Sequence, residues 1–351
     1  MKVSDFDYPL PSELIADRPL ENRSDSRLMV VRRATRGIEH RAFRDLPNLL
    51  SRGDLLVFND TKVIPARLIG RKRGGGARIE ILLLEERSPY VREAIAQRAI
   101  RLSVGTAIDF SPDDSCRVED ILGEGRFLFK FEVAGDWERF LDKYGEIPLP
   151  PYVLKKRESL SDEERVSLER DDRIRYQTTY AKTPGSAAAP TAGLHFSELL
   201  LRDLDERGIE RVYVTLHVGL DTFSPVTVDT VEDHTMKSEW CSCPPGTIDR
   251  IREAKRDLKR VIAVGTTTCR TLESYARADW PDHPIRTRLF LKPGETFLAI
   301  DGLLTNFHLP CSTLLMLVSA FMGNELRRAA YESAVAEGYR FYSYGDAMLV
   351  L

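Results

Sequence analysis

The chain has 351 residues, of which 42% are hydrophobic and 30% charged, and a formal net charge of −3. That composition belongs to a folded globular protein of about two domains rather than a disordered or fibrous chain. It excludes a protein that grips a long duplex through phosphates alone, which has to be basic. It excludes a membrane span as well, because the longest apolar stretch, Leu314 to Met322 interrupted by Ser319, is far short of the roughly 20 residues required.

The N-terminus carries acidic residues and prolines where a signal peptide has a basic end and an apolar run, so export is not expected. Five cysteines (Cys116, Cys241, Cys243, Cys269 and Cys311) lack paired C-x-x-C spacing, which predicts reduced thiols in a cytoplasmic setting. Cys241-Ser242-Cys243 is at most half of a metal or redox site. No second cluster accompanies it, and no metal is expected.

Up to about Asp60, short strand-like runs, Arg27 to Val31 and Asp54 to Phe58, alternate with Pro, Gly and Asp punctuation. From about Val63 to Gly135 the periodicity stays near two, with strands at Ile79 to Leu84, Thr106 to Phe110 and Phe127 to Val133. Glycine turns separate them, and the pattern predicts a small antiparallel barrel. Its first stretch is basic, with Arg67, Arg71, Lys72, Arg73 and Arg78. That reads as a nucleic-acid-facing edge or as a plain solvated hairpin. Lys155 to Arg175 is charged and reads as a helix or a loop.

From about Pro184 strands, loops and helices alternate. Ser197 to Arg207 reads as an amphipathic helix closed by Gly208. Arg211 to Gly219 reads as a strand with Val212, Val214, Leu216 and Val218 on one face and Tyr213, Thr215 and His217 on the other. A helix through Ile248, Ile251, Lys255 and Leu258 precedes an apolar strand, Arg260 to Val264. Helices from near Ser312 and from Asn324 to Glu337 follow, and Tyr339 to Tyr344 reads as a final strand. The expected fold is therefore an α/β main domain, residues 1–62 and 149–351, whose sheet takes in the N-terminal strands, with an inserted small antiparallel β-barrel domain at 63–148.

Several familiar chemistries are missing. There is no G-x-x-x-x-G-K-[ST], no G-x-G-x-x-G between a strand and a helix, no G-x-S-x-G elbow and no H-E-x-x-H. What remains is a set of junction loops dense in small, hydroxylic and histidine residues. Ala189 to Phe196 contains Thr191, Gly193, His195 and Phe196 and runs into a helix start, where free N–H groups favour an anion. Val264 to Arg270 places Gly265, Thr266 and Thr267 after an apolar strand, where α/β sheets hold ligands. Arg270 suits a carboxylate or phosphate, unless it pairs with Glu273 on the same helix face.

Leu304 to Pro310 sets Asn306 beside His308, an amide next to a group that titrates near neutrality. His195, His217 and His308 are all candidate bases, and spacing does not choose among them. Asn59-Asp60 and Tyr344-Gly345-Asp346 end strands, so Asp60 and Asp346 suit sugar hydroxyls or simple turns.

Read in order, the segments LLVFNDTKVIPARL (Leu55 to Leu68), RYQTTYA (Arg175 to Ala181), APTAGLHF (Ala189 to Phe196), VTLHVGL (Val214 to Leu220), VIAVGTTTCRTLES (Val261 to Ser274), LLTNFHLPCSTLLMLVSAF (Leu303 to Phe321) and YRFYSYGDAMLV (Tyr339 to Val350) closely resemble one family. It is that of the S-adenosylmethionine:tRNA ribosyltransferase-isomerases of queuosine biosynthesis. The resemblance implies an α/β domain with an inserted barrel and a transferase that donates the ribosyl group of S-adenosylmethionine. The implied acceptor is 7-aminomethyl-7-deazaguanine at a tRNA wobble position, giving epoxyqueuosine-tRNA, adenine and methionine.

On that basis His195, His217 and His308 are the catalytic candidates. Asn59, Asp60, Thr191, Gly193, Phe196, Gly265, Thr266, Thr267, Arg270, Asn306, Tyr344 and Asp346 are expected to meet substrate, with Phe196, Phe307 and Tyr344 as stacking platforms. Arg67, Arg71, Lys72 and Arg73 are expected to meet the anticodon stem-loop. A monomer needing no cofactor beyond S-adenosylmethionine as co-substrate is expected. The chain departs from the family pattern at Gln97 to Arg101, at Asp221 to Pro225, at Lys237 and at Cys311. Two other readings are a paralogue using the same donor on a non-tRNA deazapurine and a non-catalytic tRNA-binding paralogue. Turnover without RNA marks the first, and binding without adenine release marks the second.

Overall fold

The computed structural model describes residues 1–97, 102–123, 125–219 and 226–351. The departures at 98–101 and 221–225 therefore lie outside the described residues.

Three segments read as continuous apolar runs, and each is buried along its whole length: β3 (Leu55–Asn59), β15 (Val261–Val264) and β17 (Gly302–Asn306). Buried parallel strands covered on both faces have that appearance. They form the centre of a nine-stranded sheet with β1 (Arg27–Arg32), β2 (Gly37–Ala42), β13 (Glu210–Leu216), β14 (Glu239–Ser242), β16 (Ile285–Thr287) and β18 (Ala347–Val350). The order is β16-β14-β13-β3-β15-β17-β18-β1-β2. Strands β13, β3, β15 and β17 are mutually parallel, and β18 runs against β17 but parallel to β1. The N-terminal strands thus join the C-terminal half in one sheet.

One sheet face packs on α6 (Pro245–Arg256), α7 (Thr266–Arg277), α8 (Thr313–Met322) and α9 (Asn324–Ala336); the other packs on α1 (Leu46–Leu49) and α5 (Glu198–Glu206). Ser197 and Ser312 cap α5 and α8, accepting from Leu200 N and Leu315 N.

Between β4 (Thr61–Val63), which pairs with β12 (Thr183–Ser186), and the returning helices, the period-two segment folds as β5 (Arg67–Lys72), β6 (Arg78–Ser88), β7 (Val91–Gln97), β8 (Ala107–Asp109), β9 (Ser115–Gly123) and β10 (Arg126–Glu132). These six strands close on themselves through the pairing of β8 with β5, and β11 (Gly145–Glu146) adds to β5. Phe127, Phe129 and Phe131 of β10 alternate inward. Helix α2 (Trp137–Tyr144) seals the barrel with Phe140 and Leu141. The charged stretch beyond it is helical, as α3 (Pro151–Arg157) and α4 (Asp162–Arg175).

One expectation is corrected. Tyr339 to Tyr344 is a loop, and the last strand starts at Ala347. The Asp346 carboxylate accepts from Arg340 N at 2.8 Å and Arg27 N at 2.9 Å, which ties the segment into a turn. Tyr342 is held at φ 72° by its N–H to Phe307 O, and a Cβ on Gly345 would lie 2.5 Å from Arg340 O. The alternating aromatics that imitate a strand pack instead against Tyr152, Phe307 and Tyr331.

Candidate functional site

The carboxyl ends of β3, β13, β15 and β17 lie on one edge of the sheet, together with the amino ends of β18 and β1. In open α/β sheets this edge is where ligands bind. A cleft of about 670 Å³, its open mouth included, lies there, within the roughly 300–1,000 Å³ of small-molecule sites. Loops that are far apart in the chain line it: Ala189 to Ala192, Gly265 to Thr267 and Thr305 to Leu309. Gly265, at φ 95°, turns β15 directly into α7, so that helix starts at the cleft with its first N–H groups lacking intrahelical partners.

Of the residues singled out in the sequence, Thr191, Gly265, Thr266, Thr267, Asn306 and His308 line this cleft, as does Phe307. No Asp, Glu, Lys or Arg is among the described residues that line it. Asn59 lies beneath, donating to Thr267 Oγ1 at 3.2 Å and Leu216 O at 3.0 Å. Asp60 accepts from Thr215 Oγ1 at 2.6 Å, and Asp346 is occupied by the two backbone N–H groups already described.

The three histidines occupy three different settings. His195 is buried and stacked on Phe43, with Ser26 Oγ 2.8 Å from Nδ1 and Asn306 Nδ2 3.2 Å from Nε2. An amide donor at Nε2 requires the ring proton on Nδ1. Asn306 Oδ1 in turn accepts from Thr191 Oγ1 at 2.9 Å, so Ser26, His195, Asn306 and Thr191 form one chain. His308 lines the cleft itself; its Nε2 is 2.7 Å from Thr305 Oγ1, and no other side-chain partner is found among the described residues.

Burial pushes both imidazoles down to about 3, helped at His195 by Arg340 and Arg23, so both are neutral near pH 7. His217 lies outside the cleft wall, stacked on Trp240 with Nδ1 2.8 Å from Thr61 Oγ1. Its pKa is also lowered by burial, with Asp60 working the other way.

Other candidates are built into the scaffold. Arg270 is 3% exposed and pairs with Glu239 of β14, not with Glu273, which is taken up by Arg277 and the backbone N–H groups of Leu298 and Ala299. Phe196 is wedged between Phe43 and Phe58, Phe307 against Tyr331 and Tyr339, and Tyr344 donates to Asp172. Gly193 gives Tyr180 room: a Cβ there would lie 1.9 Å from Tyr180 Oη. On the barrel, Arg67 pairs with Glu80 and Glu146 and Arg73 with Asp109. Arg71 is exposed and donates to Gly76 O, and Lys72 is half-buried.

Cys241 and Cys243 are buried, with thiols pushed up to about 12, and among the described residues no three His, Cys, Asp or Glu side chains converge as a metal site. No described helix is long and apolar enough to cross a membrane.

Tyr152, Tyr342 and Ser343 also line the cleft and were not anticipated. The sequence signal for Tyr342 and Ser343 is the Tyr-Ser-Tyr-Gly-Asp segment, whose glycine and aspartate mark a turn; Tyr152 has none. Tyr342 there keeps a left-handed backbone, a strained conformation of the kind that clusters at functional sites.

A family model described as queuosine biosynthesis protein matches residues 3–350. Among curated proteins, the chain is 50% identical to the S-adenosylmethionine:tRNA ribosyltransferase-isomerase of Desulfitobacterium hafniense and 48% identical to that of Halothermothrix orenii, over the full length of each chain. Among solved structures it is similar to the S-adenosylmethionine tRNA ribosyltransferase of Thermotoga maritima. That match has 35% identity and a TM-score of 0.55, and covers 99% of this chain and 100% of the other.

Proposed function

This chain belongs to the queuosine biosynthesis protein family and is an enzyme of the S-adenosylmethionine:tRNA ribosyltransferase-isomerase type, and we propose that the uncharged cleft at the sheet edge is where it holds the donor. One observation carries this reading. Three loops distant in sequence bring Thr191, Gly265, Thr266, Thr267, Asn306 and His308 into a single cleft at the position where α/β sheets hold ligands.

The donor is a sulfonium whose methionyl carboxylate needs a positive partner. The free N–H groups at the start of α7 supply one without a side-chain charge. Arg270, neutralised by Glu239, is not needed for that task.

The acceptor is 7-aminomethyl-7-deazaguanine at the wobble position, presented on an anticodon stem-loop to a monomeric enzyme. A C–N bond forms between its amine and the ribosyl unit. The furanose C–O and glycosidic C–N bonds break, and adenine leaves with one proton; the carbon beside the sulfonium, having lost its proton, closes the cyclopentane through a new C–C bond, and the oxygen at that junction forms the epoxide as the C–S bond breaks to release methionine. Of the two protons lost, from the amine and from that carbon, one goes to adenine and one is released. Epoxyqueuosine-tRNA is the product. The reading uses S-adenosylmethionine as co-substrate and calls for no metal or redox cofactor.

His308, neutral and lining the cleft with no partner at Nδ1 among the described residues, is placed to accept a proton. His195 has both ring nitrogens occupied and acts through Asn306, whose amide it orients. A group aimed in this way is ready to hydrogen-bond a departing base.

The test is product analysis by mass spectrometry with S-adenosylmethionine and tRNA carrying the deazaguanine. Adenine, methionine and an epoxy-cyclopentane nucleoside are expected in equal amounts. S-adenosylhomocysteine as product, or turnover on the free base alone, would overturn the reading. Full-length identity near 50% to the named relatives favours the catalytic tRNA enzyme over either paralogue.

A further inference from the structure

Behind the His195–Asn306 wall a second cavity of about 320 Å³ opens, sharing Ser343 with the donor cleft and lined also by Arg23, Ser26, Arg175, His195 and Tyr344. Arg23 donates to Leu194 O at 3.1 Å and Ile174 O at 3.2 Å, and Arg175 donates to Glu21 O at 2.9 Å and to Leu20 O. Arg340, near enough to act on the His195 imidazole, donates to Arg18 O. Among the described residues all three guanidinium groups thus hydrogen-bond only main-chain carbonyls. Among the described residues none of them has a carboxylate at ion-pair distance.

Several arginines elsewhere in the fold meet a carboxylate, whereas Arg33 donates to main-chain carbonyls alone among the described residues. Arg157 pairs with Asp172, Arg270 with Glu239 and Arg260 with Asp54. The acids around the second cavity are already committed: Asp172 to Arg157 and Tyr344, Asp346 to two backbone N–H groups, and Asp17 to Arg18. Arg175 Nε, Arg340 Nη1 and the oxygen of Ser343, a residue 3% exposed, are buried without a hydrogen-bond partner among the described residues. Burial lowers the pKa of Arg23, and the like charge of Arg175 lowers it further. Half-buried cations and orphaned donors are costly unless an oxyanion completes them, and Arg23, Arg175 and Ser343 line this cavity.

We infer that this cavity is a phosphodiester subsite, which takes a backbone phosphate of the RNA next to the target nucleotide and so holds the extruded base over the donor cleft. The inference rests on the tRNA reading above. The donor carboxylate already has the start of α7. On the barrel, Arg67 and Arg73 pair with their own acids while Arg71 stays exposed, so the arginines of the second cavity add a local cluster of cations to a chain of net charge −3. A base taken out of its stack has to be held by its backbone on either side.

The test is a scan in which single phosphates of a deazaguanine-containing anticodon stem-loop are replaced by neutral methylphosphonates. RNA affinity and adenine release are measured for the wild type and for Arg175→Gln. One substitution within two nucleotides of the target is expected to weaken wild-type RNA binding by about tenfold, the scale of a charge-assisted hydrogen bond. The same substitution should have little further effect on Arg175→Gln, and the variant's defect should fall on RNA affinity rather than on KM for S-adenosylmethionine.

Should Arg175→Gln fail to fold, Arg23→Lys takes its place, and the wild-type scan alone still decides. A flat scan near the target, equal sensitivity in both proteins, or a defect confined to KM for the donor overturns the subsite. Wild-type protein that releases no adenine with the unmodified stem-loop would instead sink the underlying reading.

Discussion

Two imidazoles buried neutral beside the cleft at the sheet edge make the fold sensitive to mild acid. His195 and His308 have pKa values near 3 in the folded chain, against about 6.5 when unfolded. The unfolded state therefore binds protons that the folded state refuses. Stability from this source is complete above pH 6.5 and is lost as pH falls from there toward 3. At pH 5 each histidine costs about 2 kcal/mol, or roughly 4 kcal/mol together, a large share of a typical 5–15 kcal/mol. His217 and His234, also lowered by burial, add in the same direction, while the raised Asp346 works against them. Carboxylates held low by arginines, such as Glu39, keep their contribution above the ordinary carboxylate range and so add nothing to the loss between pH 7 and pH 5.

Urea unfolding of the wild type and of His308→Asn, each at pH 7 and pH 5, measures the effect. Asparagine keeps a polar partner for Thr305 and does not titrate. The variant is expected to lose about 2 kcal/mol less than the wild type over the two pH units. A wild-type and variant loss equal to within about 0.5 kcal/mol would refute the assignment of acid sensitivity to the buried ring.

The same geometry yields further outcomes. His308→Ala should slow adenine release about 10²- to 10⁴-fold, the usual share of one general base; unchanged turnover removes His308 from the catalytic residues. Because His308 stays unprotonated down to about pH 4, kcat/KM for the wild type should show no acid limb from it near pH 6.5, and such a limb surviving in His217→Asn would contradict the low pKa. Gly193→Ala drives a methyl group into Tyr180 Oη and within 2.9 Å of Thr178 Cγ2. The expected loss is about 1–3 kcal/mol in thermal unfolding, with a raised KM for the donor as the Thr191 loop shifts. Asp346→Ala strips the acceptor from two backbone N–H groups, at about 1–3 kcal/mol each; calorimetry finding no change would show that the turn does not depend on the carboxylate.

The sequence by itself determined the two architectures, because each depends on residues a few positions apart. Alternation such as Phe127, Phe129 and Phe131 can bury only one side of a strand and so makes a barrel wall, while the unbroken runs at Leu55 and Val261 can only be interior strands. It also marked the junction loops at Thr191, Gly265 and Asn306, since helix starts and strand ends carry local signatures.

What side chains do there was decided by tertiary structure alone. His195 meets Asn306 across 111 residues, Arg270 is neutralised by Glu239 on another element, Arg67 reaches Glu146 across 79, and Tyr339 to Tyr344 gives up its strand pattern to pack as a loop. The unpaired arginines around the second cavity belong to the same class. Protonation state, charge and availability are set by burial and by the nearest opposite charge, and those neighbours come from segments whose distance along the chain carries no trace of their distance in space.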